Sequence, residues 1–387
     1  MSKVYAVRCE DYGRVEDALA ELLAMMGGIE RFAKPGESIA LKPNLVHPVP
    51  PELGITTHPA VVAAVGRAVK ECGARPFLID SPSGEYPRTA EAMGRLYRTT
   101  GMAEVAAHTG IALDVDVRQQ SVFFPQGVLI KHFDVLAALI EADGVLSLCK
   151  LKTHTYMGMT GGIKNLFGAI PGSGKPGYHV KLRDPDRFAG MLLDLAAYIA
   201  PRLTLMDAVI GMEGAGPNRG TLRHVGLLLA SEDPLALDVV ASEIIGLPVE
   251  HNPVLREARR RGRTPTRIEE VELAGLSPAE LRIRDYDIPL PLAPAQGLDN
   301  MAWWQTALMP LFRNAMTRKP HVLADTCTGC DICRAACPQH AIALSGNGKG
   351  RARIDGSACI RCYTCYELCP EGAIELRRGV LYRIMNA

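Results

Sequence analysis

No apolar run in this 387-residue chain approaches the roughly 20 residues that a membrane-spanning helix requires, so no membrane span is expected. An excess of charge is also missing. The formal net charge is +1, which removes the electrostatic footprint of a nucleic-acid binder. The first residues, MSKVYAVRCEDYGRVEDALAELL, lack the apolar segment of a secretion signal and read as a strand followed by an amphipathic helix. A cytoplasmic protein is the expectation.

The usual catalytic signatures are absent as well. AIPGSGKP (169–176) approaches a phosphate-binding loop, but Ala169 replaces its first glycine and Pro176 the hydroxyl residue that would hold magnesium. GAGPNRG (214–220) has one residue too many for a dinucleotide fingerprint. Neither ATP nor NAD is supported. Before residue 327 there is no Cys-x-x-Cys pair, and the chain has no nucleophile elbow.

What is present begins with cysteine. Cys9, Cys72 and Cys149 are scattered, whereas the other eight cysteines crowd between 327 and 369. Without a secretion signal, such crowding points to metal rather than disulfides. CTGCDICRAACP (327–338) and CIRCYTCYELCP (359–370) both follow the C-x2-C-x2-C-x3-C-P spacing of two-cluster bacterial ferredoxins. Three cysteines on one tight loop reach three irons of a cube, and the fourth points to the other cube. Cys327, Cys330, Cys333 and Cys369 should therefore hold one cluster, and Cys359, Cys362, Cys365 and Cys337 the other. CPQHAIAL and CPEGAIEL extend the repeat beyond the cysteines. Zinc is the competing ligand, and two complete quartets in tandem argue against it. Residues 320 to about 378 thus resemble the two [4Fe–4S] ferredoxin family, which implies two such clusters, one-electron transfer and a redox partner protein.

Ahead of this module, strand-like segments (38–46, 75–81, 143–152, 202–211 and 224–233) alternate with helical patterns (59–73, 89–110, 133–142, 187–199 and 234–246). Apolar strands each followed by a helix predict an α/β domain, a mostly parallel sheet with helices on both faces. The domains expected are 1–250, an Arg- and Pro-rich extension with an apolar helix at 251–320, and a small α+β ferredoxin-like two-cluster domain at 321–387. The arginine run near 259 is expected to be a solvated helix end, and 298–320 a packing helix.

Ligands of open parallel sheets sit outside the carboxyl ends of the strands. Those ends carry Lys42 and Asn44, Asp80 and Ser81, Lys150, Lys152 and His154, Asp207 and Glu213, and Glu232 and Asp233. KLKTHTYMGMTGGIKNLFG (150–168) concentrates three lysines and a histidine among glycines with no acid, and its glycines would allow backbone N–H groups to approach a ligand. The expected reading is an anion pocket. Lys42, Lys152 and Lys164 supply charge, Asn44 and Asn165 orient a carboxylate or phosphate, and His154 donates protons. Lys152, His154 and Lys164 are the catalytic candidates; Lys42, Asn44, Asp80, Ser81, Lys150, Asn165 and Glu213 are the substrate-binding ones. Asp80, Asp207 and Glu213 either bind a divalent cation or neutralise the lysines. Cys149 is expected to be structural.

LKPNLV (41–46), DSPSG (80–84), CKLKTHTYMGMTGGIKNLFGAIPG (149–172), DAVIGMEGAGPNRG (207–220) and LASEDPLALDVVASEIIG (229–246) together resemble the family known as domain of unknown function 362. The resemblance implies an architecture, a cleft and an accompanying ferredoxin module, but no reaction. Two functions follow. One is an oxidoreductase, a ferredoxin-coupled reductase of a small anionic substrate. The other is an electron-transfer or assembly factor whose α/β domain docks a client protein.

Overall fold

The computed structural model describes residues 1–82, 89–182, 184–288, 319–345 and 350–377. The helix expected at 298–320 lies outside the described residues up to 318. The chain forms two compact units. One comprises Met1–Lys175 with Asp184–Pro289, and the other Pro176–Arg183 with Leu290–Ala387.

In the first unit the strands are β1 (Ser2–Arg8), β2 (Ser38–Pro43), β3 (Arg75–Leu78), β4 (Ala112–Leu113), β5 (Gln119–Phe123), β6 (His132–Leu136), β7 (Gly144–His154), β8 (Gly158–Thr160), β9 (Leu203–Glu213), β10 (Thr221–Ser231) and β11 (Val271–Gly275). Its helices are α1 (Val15–Met26), α2 (Pro59–Glu71), α3 (Ala90–Thr99), α4 (Met102–Thr109), α5 (Ala137–Glu141), α6 (Gly162–Asn165), α7 (Lys175–Lys181, which passes into the second unit), α8 (Pro185–Ile199), α9 (Pro234–Ile245), α10 (Pro253–Arg260) and α11 (Pro278–Leu281). The sheet runs β11-β1-β10-β9-β7-β2-β3-β4, with β8 paired to β7. β2, β3, β4, β7 and β9 are parallel neighbours, and β11 is parallel to β1. Within this sheet, among the described residues, only β10 and β8 are reversed against their partners. This is an α/β fold with a mostly parallel sheet.

Several helix starts share one device. Asp184, Asp233 and Asn252 each cap a helix through a side-chain oxygen and are followed at the first helical position by Pro185, Pro234 and Pro253 respectively. His58 does the same for α2 through its ring Nδ1, ahead of Pro59. A first-turn amide has no intrahelical acceptor, so proline costs nothing there and the cap satisfies its neighbours.

The pleat sorts residues to two faces. Ile39, Leu41, Leu146, Leu148, Leu203, Leu205, Leu228 and Ala230 join a core with Leu19 and Leu22 of α1 and Val61, Val62 and Val65 of α2. Alternate residues face the α6 side, where Ser147 meets Asn165 and Thr204 lies against Gly162. All of β7 is buried, as both-face coverage demands.

Four expectations need correction. The helix predicted at 133–142 is a strand, β6, that pairs antiparallel with β5, followed only by short α5. Its period-two burial, with Phe133 and Val135 inward and His132 and Asp134 outward, is the signal that decides it. The helix at 89–110 is broken into α3 and α4 at Gly101, which has φ of 77°. The α/β unit runs on to Pro289 rather than ending at 250, because β11 adds to the sheet beside β1. Finally, the arginine run is not wholly solvated. The Arg261 side chain is 7% exposed, 2.6 Å from Asp194 and 2.7 Å from Glu257, while Asp194 also accepts the Val128, Leu129 and Ile130 amides.

In the second unit, β12 (Lys319–Val322) pairs with β15 (Ile374–Arg377), and β13 (Ile342–Leu344) with β14 (Ala352–Ile354). Helices α12 (Ile332–Ala335) and α13 (Thr364–Leu368) follow the two cysteine loops. Its core consists of Cys333, Ile342, Ala352, Cys365 and Ile374, so cysteines form part of the packing.

Removing one partner of a buried ion pair strands the other charge, so Arg261→Ala should cost about 3–5 kcal/mol. Urea unfolding of the variant measures it; a loss under about 1 kcal/mol would show that Asp194 and Glu257 do not depend on Arg261.

Candidate functional site

The carboxyl ends of β2, β3, β7 and β9 lie at one edge of the sheet, as the parallel register requires. Glu232 and Asp233 do not join them. β10 runs antiparallel to β9, so its carboxyl end is at the opposite edge, where Glu232 pairs with Arg31 and Asp233 with Ser2.

At the shared edge the expected lysines are present, but the pleat divides them between faces. Lys42, next to inward Leu41, turns to the α6 side. Its ammonium is 2.8 Å from Asp80 Oδ1 and 2.9 Å from the Pro43 carbonyl oxygen. Asp80 also accepts the amides of Leu45 and Ser81. Gly168 is obligatory here: a Cβ would stand 2.1 Å from Asp80 Oδ1 and 2.4 Å from Lys42 Nζ.

Lys150 lies on the opposite face, that of Leu146 and Leu148. Lys150 Nζ donates to Asp207 Oδ2 at 2.9 Å and to Tyr12 Oη at 2.8 Å. Tyr12 donates in turn to Asp207 Oδ1 at 3.1 Å and stacks on His58 at 3.5 Å between ring centroids. The His58 and Val209 amides also donate to Asp207. Burial draws the Lys150 ammonium below its ordinary value, opposed by Asp207, and raises the Tyr12 phenol. Lys152 donates to the Ile55 carbonyl oxygen at 2.7 Å.

Thus Asp80 and Asp207 neutralise lysines. Among the described residues of this edge, no three His, Asp or Glu side chains come together as a metal ion would need. Glu213 stands apart from both pairs: it accepts the Asp287 amide at 3.1 Å and faces Arg223 at 3.9 Å.

The glycines after β7 serve the protein's own carboxylate. Asp238, the one acid in the apolar run of α9, accepts the Gly162 amide at 2.6 Å and the Ile163 amide at 3.1 Å. A Cβ on Gly161 would stand 2.0 Å from it. Burial pushes Asp238 up to about 7. This clamp sets α6, which carries half-buried Lys164 and buried Asn165. Asn165 Nδ2 donates to Ser147 Oγ at 2.9 Å and to the Lys42 carbonyl oxygen at 3.2 Å. His154 Nδ1 accepts the Tyr156 amide at 3.1 Å, so the imidazole proton resides on Nε2.

Among the described residues, Asn44 Oδ1, Ser81 Oγ and Asn165 Oδ1 are buried atoms with no hydrogen-bond partner. All three belong to the edge that holds the Lys42–Asp80 pair. Buried polar atoms are normally satisfied by protein, water or a bound group.

Sequence reasoning missed His47, Tyr12, His58, Asp238 and Lys175. Lys175, from the discarded phosphate-loop resemblance, donates to the Ser81 and Pro82 carbonyl oxygens. Asp238 had a signal, a lone acid within LALDVV; His47, Tyr12 and His58 had none, since only folding brings them to the edge. Cys149 is fully buried, with its thiol well above the ordinary range, as a structural cysteine should be.

In the second unit the cysteines close two cavities. One is lined by Cys327, Cys330, Cys333 and Cys369. The other is lined by Cys337, Cys359, Cys362 and Cys365. The fourth cysteine of each motif has crossed to the other cavity. The Ala341, Ala352 and Ala373 amides point at Cys337, Cys327 and Cys369 sulfurs, as they would at thiolates. Burial, and then the neighbouring cysteines, push the Cys333 thiol up to about 11 and Cys365 well above its ordinary value. Four thiolates so close need a positive centre between them, and the residues present fit an iron–sulfur cluster.

The profile of the family described as Domain of unknown function (DUF362) matches residues 39–243, which include both ion pairs. The chain belongs to this family. A 4Fe-4S dicluster domain matches residues 326–373. The DUF362 chain is 35% identical, over 301 residues, to a thylakoid-associated protein of Synechocystis sp.; the match covers 76% of this chain and 90% of that protein. Two solved structures are similar in part. The lactate racemase apoprotein from Thermoanaerobacterium thermosaccharolyticum has a TM-score of 0.42 and 11% identity, over 64% of this chain. A protein from Thermotoga maritima has a TM-score of 0.36 and 11% identity, over 59% of this chain. The match spans 57% of each of those two chains.

His47 supplies a pH test of the edge. Burial and the nearby Lys152 ammonium push its imidazole down to about 4. Unfolded, it titrates near 6.5. Between these values the unfolded chain binds more protons, so stability should fall as pH drops from 6.5 to 4, by about 1–3 kcal/mol. Asp238 acts in the opposite sense, its contribution being lost as pH rises through about 7. His47→Gln should flatten the acidic limb of a pH–stability curve measured by chemical unfolding; an equally steep limb would exclude His47 as its source.

Proposed function

We propose that this DUF362 protein is an iron–sulfur oxidoreductase that passes single electrons to a small anionic substrate bound at the carboxyl edge of its α/β sheet. Two [4Fe–4S] clusters, one for each cysteine quartet, supply one-electron transfer when bound, and a redox partner protein exchanges electrons with them. The setting we propose is the cytoplasm. Among the described residues no helix is long and apolar enough to cross a membrane.

The observation that carries the reading is the set of buried polar atoms on Asn44, Ser81 and Asn165, beside an ion pair that leaves the edge neutral until an anion arrives. Ser81 Oγ can donate to a carboxylate or phosphate, while Asn44 Oδ1 and Asn165 Oδ1 accept and would take a hydroxyl or N–H of the same substrate. Lys152 and Lys164 would hold its charge, and His154, with its proton on Nε2, would give a proton as the substrate is reduced. Lys42, Asp80 and Lys150 shape the edge through their pairs and enter binding at one remove.

A second reading has an observation of its own. Val117, Phe123 and Val128, on and beside the β5–β6 hairpin, are 51%, 58% and 69% exposed, which suits docking of a client protein by an electron-transfer or assembly factor.

The test is anaerobic. The protein is purified, iron and sulfide are quantified, dithionite reduces it, and EPR follows the reduced signal as small-metabolite fractions are added. One fraction should reoxidise the wild type. Lys152→Ala and His154→Ala should each slow that reoxidation about 100-fold with unchanged reduction potentials. A protein that no fraction reoxidises, but that captures a client through the hairpin, would replace the first reading with the second.

A further inference from the structure

The two halves of the cysteine module repeat closely enough to be compared position by position. Each quartet loop has left-handed backbone at the same two places. Gly329 (φ 72°) corresponds to Arg361 (φ 60°), and Asp331 (φ 70°) to Tyr363 (φ 60°). After the crossing cysteine and its proline, Glu371 corresponds to Gln339. All six line the cavities. Gly329, Asp331 and Glu371 lie at the cavity of Cys327, Cys330, Cys333 and Cys369, while Arg361, Tyr363 and Gln339 lie at that of Cys337, Cys359, Cys362 and Cys365.

At every one of these positions the second cavity is the more positive. Neutral glycine becomes arginine, aspartate becomes tyrosine, and glutamate becomes glutamine. Asp331 is partly offset by Arg334, at 2.6 Å, which leaves Glu371 and Arg361 as the main difference. Donors to sulfur are found at both sites among the described residues: the Ala352 and Ala373 amides at the first, the Ala341 amide and Thr364 hydroxyl at the second. Arg361 also occupies backbone that glycine adopts more cheaply, and glycine stands at its counterpart.

We infer that the module is a rectified electron path: the site of Cys337, Cys359, Cys362 and Cys365 has the higher reduction potential, and Arg361 is its main determinant. Reduction adds one negative charge to a cluster, and a nearby guanidinium stabilises the reduced form while a carboxylate opposes it. An electron delivered to the first site therefore moves to the second, which gains one electron as the first loses one, with no bond made or broken. The inference rests on the reading that both quartets hold [4Fe–4S] clusters. Arg361 is a positioning residue for charge and not a catalytic one.

The experiment uses the full chain, reconstituted anaerobically, with iron and sulfide counted before dithionite titration followed by EPR. Two one-electron waves should appear, separated by at least about tenfold in electron distribution, which is about 59 mV for a one-electron couple. Arg361→Gly, the residue of the counterpart turn, should lower the upper wave and leave the lower one in place. Arg361→Lys should restore it, and Glu371→Gln should raise the lower wave. With iron fully loaded, a single wave for both sites, or an Arg361→Gly variant that moves the lower wave, overturns the inference and spares the cluster reading. A wild-type chain that takes up no iron overturns both.

Discussion

A buried ammonium is tolerable only with a carboxylate or several carbonyls around it, and this requirement organises the carboxyl edge of the α/β sheet. Lys42 and Lys150 are almost wholly shielded from solvent, and each has an aspartate within 3 Å. The pairs reach outward. Asp80 fixes the turn after β2 through the Leu45 amide and forbids a side chain at residue 168. Asp207 ties the start of α2 to Tyr12 ahead of α1. Much of the edge's geometry follows from where these two charges must go.

Asp238 applies the same logic to a backbone. Short α6 cannot stabilise itself, and its first amides have no intrahelical acceptor. A carboxylate from α9 supplies one, and the glycines at 161 and 162 make room for it. Asn165 is thereby held with one side of its amide bonded and the other open. Recognition of a substrate donor by that open amide oxygen would thus depend on an internal carboxylate several residues away.

The cysteine module works under a different constraint. Its core is small and partly built of the sulfurs themselves, so packing and cofactor binding are one problem. Repetition of one loop solves the ligand geometry twice, and the few positions at which the copies differ are then available to set the two sites apart electrostatically.

Much of this was legible in the residue order. The cysteine quartets and their crossing follow from local spacing, because ligand reach on a tight loop is a short-range matter. The parallel strands were legible for a similar reason, since uninterrupted apolar segments of strand length announce burial on both faces. Lys42, Asn44, Ser81, Lys152, His154 and Asn165 could be assigned to one edge because each ends or follows a strand, or belongs to the helix just beyond one. The division of those lysines between two faces could not, because it depends on pleat and on a bulge between Lys150 and Lys152. Nor could the reversal of β10, which moved Glu232 and Asp233 to the far edge, or the arrival of Tyr12, His58 and Asp238 from distant segments. Spacing along a chain encodes contacts a few residues apart. Which charge meets which across the sheet is decided only when the whole fold closes and every buried charge must find its partner.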